Sequence, residues 1–202
     1  MDLTCFTIGH SNHSVLMFIE LLQKHNISLI IDVRSHPYSK HVPDYNKDNI
    51  TQSLSEYEIE YAYLGNELGG RTNDHGLLNE NGQTDYLKVM QTINFKSGIK
   101  KVKQAIEAGE YLALMCTEKN PLDCHRFILI SRALSQENIT VKHILDTGET
   151  VNNEELEKQL LNRYNLDNKQ MTLFEPRKSI HELISEVYER RGREISYKSG
   201  NV

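Results

Sequence analysis

The sequence predicts an α/β domain: a three-layer, mostly parallel five-strand sheet flanked by helices, with a C-terminal helical extension. Three observations predict it. Five short runs rich in Ile, Val, Leu and Tyr stand at residues 3–9, 28–33, 59–64, 111–116 and 140–146. Most are nearly continuous in apolar character, as strands covered on both faces are. The stretches between them carry apolar residues at helical spacing, and strands alternating with helices build parallel sheets.

Each element follows in turn. The first run ends in Gly9-His10-Ser11-Asn12. Ser14 then caps a helix whose Val15, Phe18, Ile19 and Leu22 share one face. The second run ends in Asp32-Val33-Arg34-Ser35-His36-Pro37. Ile50, Leu54 and Tyr57 form a weaker stripe before the third run, which closes on Leu64-Gly65-Asn66-Glu67-Leu68-Gly69-Gly70-Arg71. Tyr86, Leu87, Met90 and Ile93 make another stripe, and Ile99, Val102 and Ile106 lead to Gly109 as a helix stop. The fourth run closes on Cys116. After a polar loop, Cys124-His125-Arg126 opens an apolar helical run, 127–134.

The fifth run precedes Thr147-Gly148-Glu149, which divides the chain into an α/β domain carrying the site, 1–148, and a helical extension, 149–202. In the extension, 154–164 and 179–191 read as helices and 165–169 as a polar linker. The polar end of the chain is expected to fray.

Composition narrows the function classes. With 202 residues, 38% hydrophobic and 25% charged, the chain is an ordinary globular domain with a short appendage. A net charge of −5 gives no overall basic field, so nucleic-acid contact needs a local patch or a recruiting partner. No apolar run reaches membrane-spanning length and no basic-then-apolar leader opens the chain, so the expectation is cytoplasmic. Three cysteines make no paired disulfide framework and fit free thiols in a reducing compartment.

The reactive residue types sit at the carboxyl ends of consecutive strands, where open α/β sheets bind ligands. Cys124 falls in the first turn of a helix, beside His125 and Arg126, where a thiolate is stabilised. Cys124 or Cys116 is therefore the candidate nucleophilic or redox thiol, whereas Cys5, mid-strand, reads as a buried hydrophobe. His10 or His125 is the candidate proton carrier, Asp32 the orienting carboxylate, and Glu118 the remaining candidate in the catalytic set. Arg34, Arg71 and Arg126, with Ser11 and the turn glycines Gly69 and Gly70, suit a phosphate or carboxylate. The rival reading pairs these arginines with Asp32, Glu67 or Glu118. Tyr38, Tyr45, Tyr61 and Tyr63 either stack on a base or pack internally.

No cofactor is assigned, because neither a Walker loop nor a Gly-x-Gly-x-x-Gly fingerprint is present. Cys116, Cys124 and His125 could hold a metal with His10 or His36 as a fourth ligand. Adjacent residues seldom both reach one ion and no Cys-x-x-Cys pair occurs, so no metal is assigned either. His25, His143 and His181 read as surface residues.

The ordered series Gly9-His10-Ser11, Asp32-Val33-Arg34, Leu68-Gly69-Gly70-Arg71 and Cys116-Thr117-Glu118 … Cys124-His125-Arg126 resembles the motifs of the Domain of Unknown Function 488 family. The resemblance covers about residues 4–146. It implies a prokaryotic α/β domain with its site at these strand ends, and it supplies no reaction. Separately, Gln170-Met171-Thr172-Leu173-Phe174 is similar to the bacterial sliding-clamp-binding pentapeptide, with Gln170, Leu173 and Phe174 as the docking residues. The rival reading packs Leu173 and Phe174 on the chain's own helices. Together these features predict an enzyme of bacterial nucleic-acid metabolism or DNA repair acting on a phosphate-bearing substrate. The alternatives are a non-catalytic nucleic-acid or nucleotide-binding module recruited by the clamp, and a metal-binding domain.

Overall fold

A computed structural model describes residues 3–166 and 178–198. Six strands form one sheet: β1 (Thr4–Gly9), β2 (Leu29–Asp32), β3 (Glu60–Tyr63), β4 (Leu112–Cys116), β5 (Thr140–Ile144) and β6 (Thr150–Asn152). Their order is β3-β2-β4-β1-β5-β6, with every neighbouring pair parallel except β5 and β6. The five strands expected from the sequence are all present. The sixth corrects that count. It is three residues long and holds one apolar residue, too little for a pattern to show.

Alternate side chains of the strands enter two cores, because successive residues of a strand point to opposite faces. On one face Ile30, Ala113, Met115 and Ile8 meet Phe18, Ile19 and Leu22 of α1 (Val15–Lys24) and Ile50 and Leu54 of α2 (Lys47–Ser55). Ser14 caps α1 by accepting from the Met17 N–H. On the other face Ile31, Leu112, Leu114 and Cys116 meet α5 (Ile93–Glu107), through Phe95, Ile99, Val102 and Ile106. Two short helices precede α5, namely α3 (Gly65–Leu68) and α4 (Tyr86–Gln91).

The helix expected after Cys124 is present but begins as a π-helical turn, Arg126–Ser131, before continuing as α6 (Arg132–Gln136). The extension contributes β6, α7 (Asn153–Arg163) and α8 (Ile180–Ile195), the last opened by a Ser179–Glu182 capping box. Leu156, Leu160, Leu183, Val187 and Tyr188 pack on Leu122, Phe127 and Ile128, so the extension covers the outer side of the π-helical turn. No helix among the described residues is long and apolar enough to cross a membrane.

Adjacent β1 and β4 send the chain to opposite sides of the sheet, β1 towards β2 and β4 towards β5. A crevice opens beyond such a reversal. His10 N–H to the Cys116 carbonyl (2.9 Å) and Ser11 N–H to the Thr117 carbonyl (2.8 Å) hold the two strand ends together at its floor.

Candidate functional site

A polar cavity of about 440 Å³ opens there, lined among others by His10, Arg34, Gly70, Arg71, Tyr86, Cys116, Glu118, His125 and Tyr197. One wall is an ion-pair layer. The fully buried Asp32 carboxylate accepts from the Arg34 Nε (2.9 Å) and Nη2 (2.6 Å), from the Arg34 backbone N–H (3.0 Å) and from the Tyr61 hydroxyl (2.7 Å). Arg34 Nη2 also donates to the Tyr45 carbonyl. Its charge is thus matched internally.

His10 completes this layer. Its ring stacks on Tyr45 at 4.1 Å, and its Nδ1 lies 2.9 Å from the Ser11 carbonyl. Because a carbonyl only accepts, Nδ1 carries the proton, and Nε2 accepts from Arg34 Nη1 at 3.3 Å. Burial and the Arg34 charge lower the His10 pKa to about 4, so the ring is neutral at neutral pH.

The second wall is a thiol cluster. Donor atoms of Cys116, Glu118, Cys124 and His125 all lie within 4.8 Å of one another. The Glu118 carboxylate stands 2.9 Å from the Cys116 Sγ and 3.0 Å from the Cys124 Sγ. The residue as a whole is exposed, but its carboxylate turns inward to the sulfurs. His125 Nε2 donates to the Val33 carbonyl at 3.1 Å, which leaves the Nδ1 lone pair facing Cys116 (3.5 Å) and Cys124 (3.9 Å).

Local backbone explains this convergence. Cys124 is extended (φ −129°, ψ 141°) and His125 is helical (φ −61°, ψ −24°), so two adjacent side chains swing to one point. The Cys124 carbonyl accepts from the Phe127 and Ile128 N–H groups, and its Sγ accepts from the Arg126 N–H at 3.4 Å. Cys124 therefore behaves as a helix cap rather than a first-turn residue.

Burial raises the Cys124 pKa, but the Cys116 thiol, the Arg126 charge and His125 outweigh it and hold it well below the ordinary thiol value. Burial and the Cys124 charge push Cys116 well up. One of the pair ionises readily and the other keeps its proton. Burial and the same sulfur charge raise Glu118. For His125, burial acts downward but the Cys124 charge prevails, and its pKa is raised.

Arg126 supports this cluster from behind. It is fully buried, and its guanidinium donates to the Glu118 carbonyl and to the Lys119 carbonyl (3.1 Å), pinning the loop between the two cysteines. Gly9 makes room for it, since a side chain there would strike the Glu118 carbonyl and the Arg126 Nη1. Gly70 does the same for His125. A Cβ would stand 2.7 Å from its Cγ.

Arg71 is different. It is exposed on the cavity wall, with its guanidinium carbon 5.0 Å over the Tyr197 ring. Tyr197 comes from the extension, whose α8 also donates from Arg191 Nε to the Leu122 carbonyl and pairs Arg191 with Asp123. The extension thereby braces the cysteine loop and supplies part of the cavity wall.

The family model described as Domain of unknown function DUF488 matches residues 14–133. The chain belongs to this family. The DUF488 match takes in Asp32, Arg34, Gly70, Arg71 and the whole thiol cluster, and leaves His10 and Tyr197 outside it. Neither the comparison with curated proteins nor that with solved structures finds a match.

Among the residues expected from the sequence, the fold brings His10, Arg34, Gly70, Arg71, Cys116, Glu118 and His125 to one cavity. Asp32, Cys124 and Arg126 lie just behind its surface. The three arginines do not act alike: Arg34 is paired with Asp32, Arg126 holds backbone carbonyls, and Arg71 alone among them is exposed. The N–H groups of Ser11 and Gly69 are already bonded, to the Thr117 and Gly65 carbonyls. The nearest fourth partner of the cysteine and histidine donors is Glu118, where sequence reading had His10 or His36.

Tyr86 and Tyr197 were missed as site residues. Tyr86 carried only a helix-stripe signal, and Tyr197 none. His143, expected at the surface, is fully buried between β1 and the extension. The segment of Gln170, Leu173 and Phe174 lies outside the described residues.

Proposed function

We propose that the protein is an enzyme acting on a small phosphate-bearing substrate held in this cavity, with Cys116, Glu118, Cys124 and His125 as its reactive centre. The observation that carries the reading is the sharing of one cavity by the exposed Arg71 guanidinium and the thiol cluster. A guanidinium with no acidic partner among the described residues, beside a reactive group, is what an oxyanion substrate requires. Arg34 serves this site as a fixed wall, held by Asp32, and Arg126 as a support of the cysteine loop. A setting in bacterial nucleic-acid metabolism rests on the likeness of residues 170–174 to a clamp-binding pentapeptide, which would bring the chain to DNA that its charge of −5 does not attract.

Thermal shift with inorganic phosphate, nucleoside monophosphates and a short oligonucleotide tests the reading. Stabilisation of the wild type by a phosphate compound, lost in Arg71→Gln, is expected. No stabilisation by any of them, or equal stabilisation of Arg71→Gln, overturns it. Binding that persists in Cys116→Ser, with no ligand turnover by either protein, identifies a binding module instead.

A further inference from the structure

We infer that Cys116, Glu118, Cys124 and His125 form a binding site for one divalent transition-metal ion of the zinc class, an inference that rests on reading this cluster as the reactive centre. Four donors bound at about 2.0–2.3 Å around a tetrahedral ion stand roughly 3.3–3.8 Å apart. Here the Glu118 oxygen is 2.9 and 3.0 Å from the two sulfurs, and the His125 Nδ1 is 3.5 and 3.9 Å from them. These spacings bracket the tetrahedral ones and all four donor atoms lie within 4.8 Å of one another, so one ion can reach every donor after side-chain adjustment.

The surroundings are those of a ligand sphere. His125 donates from Nε2 to the Val33 carbonyl, which fixes the ring and leaves Nδ1 as the metal-facing donor. The Arg126 N–H donates to the Cys124 sulfur, a bond that supports a thiolate ligand. The buried guanidinium of Arg126 holds the loop that carries Glu118. Two sulfurs and an imidazole select zinc-class ions over magnesium or calcium. Cys116, Cys124 and His125 are buried, whereas Glu118 belongs to an exposed loop residue on the cavity. Three inner ligands plus one replaceable, cavity-facing ligand is the plan of a catalytic rather than a closed structural site. In that plan an oxygen of the bound substrate takes the place of Glu118.

The test uses the full chain, stripped with chelator and reloaded with zinc or cobalt. About one ion per chain by elemental analysis, and a thiolate-to-cobalt charge-transfer band, are expected. Cys116→Ser, which leaves the Cys124 thiolate, should weaken the band markedly. Glu118→Gln, whose side chain is on an exposed loop and whose fold is therefore safe, should keep the band and shift the visible cobalt bands. Thermal stability of the wild type should rise with added zinc and fall back with chelator. No retained ion and no band overturn the inference, as does a band indifferent to Cys116→Ser. Protein purified without chelator that holds no metal and carries a Cys116–Cys124 disulfide also overturns it, in favour of a redox dithiol. Loss of metal binding with Arg71-dependent phosphate binding intact removes this inference alone. The converse removes the substrate reading alone.

Discussion

His143 links the sheet to the extension, and its burial makes an acid-stability prediction. Its Nε2 lies 3.3 Å from the Asn153 Oδ1, an acceptor, so Nε2 carries the proton. Its Nδ1 then accepts from the Thr7 hydroxyl at 2.8 Å. Asn153 Nδ2 donates on to the Tyr188 hydroxyl, which donates to Glu157. Burial, with the Arg126 charge adding to it, lowers the His143 pKa from 6.5 to about 3. His10 is lowered to about 4.

The unfolded chain takes up protons on both imidazoles below about pH 6.5, and the folded chain does not until near pH 4 and 3. The stability these groups contribute is therefore complete above the unfolded value. It is lost as pH falls towards the folded values. Each loses about 2 kcal/mol between pH 7 and 5, or about 4 kcal/mol together, against a total of roughly 5–15 kcal/mol.

His125 acts oppositely. Its raised pKa contributes stability present below the unfolded value and lost as pH rises through the folded one. His143→Gln leaves that contribution alone, keeps an acceptor for Thr7 and a donor for Asn153, and cannot titrate. Urea unfolding at pH 7 and 5 should show the variant losing about 2 kcal/mol less than the wild type over that interval. Equal losses in the two proteins would refute the assignment of a buried neutral imidazole at position 143.

Two further outcomes follow from the site and a third from the proposed docking segment. Gly70→Ala drives a Cβ to 2.7 Å from His125 Cγ, so it should destabilise by about 1–3 kcal/mol in urea unfolding and displace the imidazole from the thiols; wild-type stability contradicts the close approach. Arg126→Leu leaves the Glu118 and Lys119 carbonyls without their donors and should cost about 3 kcal/mol by the same assay, whereas an unaltered midpoint shows that the guanidinium does not hold the loop. Leu173→Ala with Phe174→Ala should abolish binding to a bacterial sliding clamp in surface plasmon resonance and leave the melting temperature unchanged; a variant that unfolds readily makes these residues core.

Much of the fold was legible because its signals are local. The runs that became β1, β2 and β4 are apolar over most of their length, and Ser14 caps α1 by its own side chain. β6 was not legible, since one valine makes no period. His143 sits beside Lys142 in a strand that reads half-polar, and what covers it, Thr7 of β1, Phe127 and Asn153 of α7, comes from distant parts of the chain.

The site was legible as a set of strand ends and opaque in its roles. Arg126 reads as an anion binder from composition, but its partners are main-chain carbonyls, which have no sequence signature. Sequence adjacency argues against a shared target for Cys124 and His125, and only the backbone turn between them reverses that reading. Asp32 and Arg34, two apart, did announce their ion pair as the rival reading.

Differential alkylation tests the central claim, that Arg71 and the thiol cluster form one anion-binding reactive site, most directly. Chelator-treated protein is labelled briefly with anionic iodoacetate or neutral iodoacetamide, and each cysteine is quantified by mass spectrometry. The cluster thiols, Cys116 on the cavity and the readily ionised Cys124 beside it, should be labelled well ahead of Cys5, which is fully buried and whose thiol burial pushes far above its ordinary pKa. Arg71→Gln should slow labelling of these two thiols by iodoacetate and leave their rates with iodoacetamide unchanged. Labelling of Cys5 first, or an iodoacetate rate indifferent to Arg71, would contradict the account.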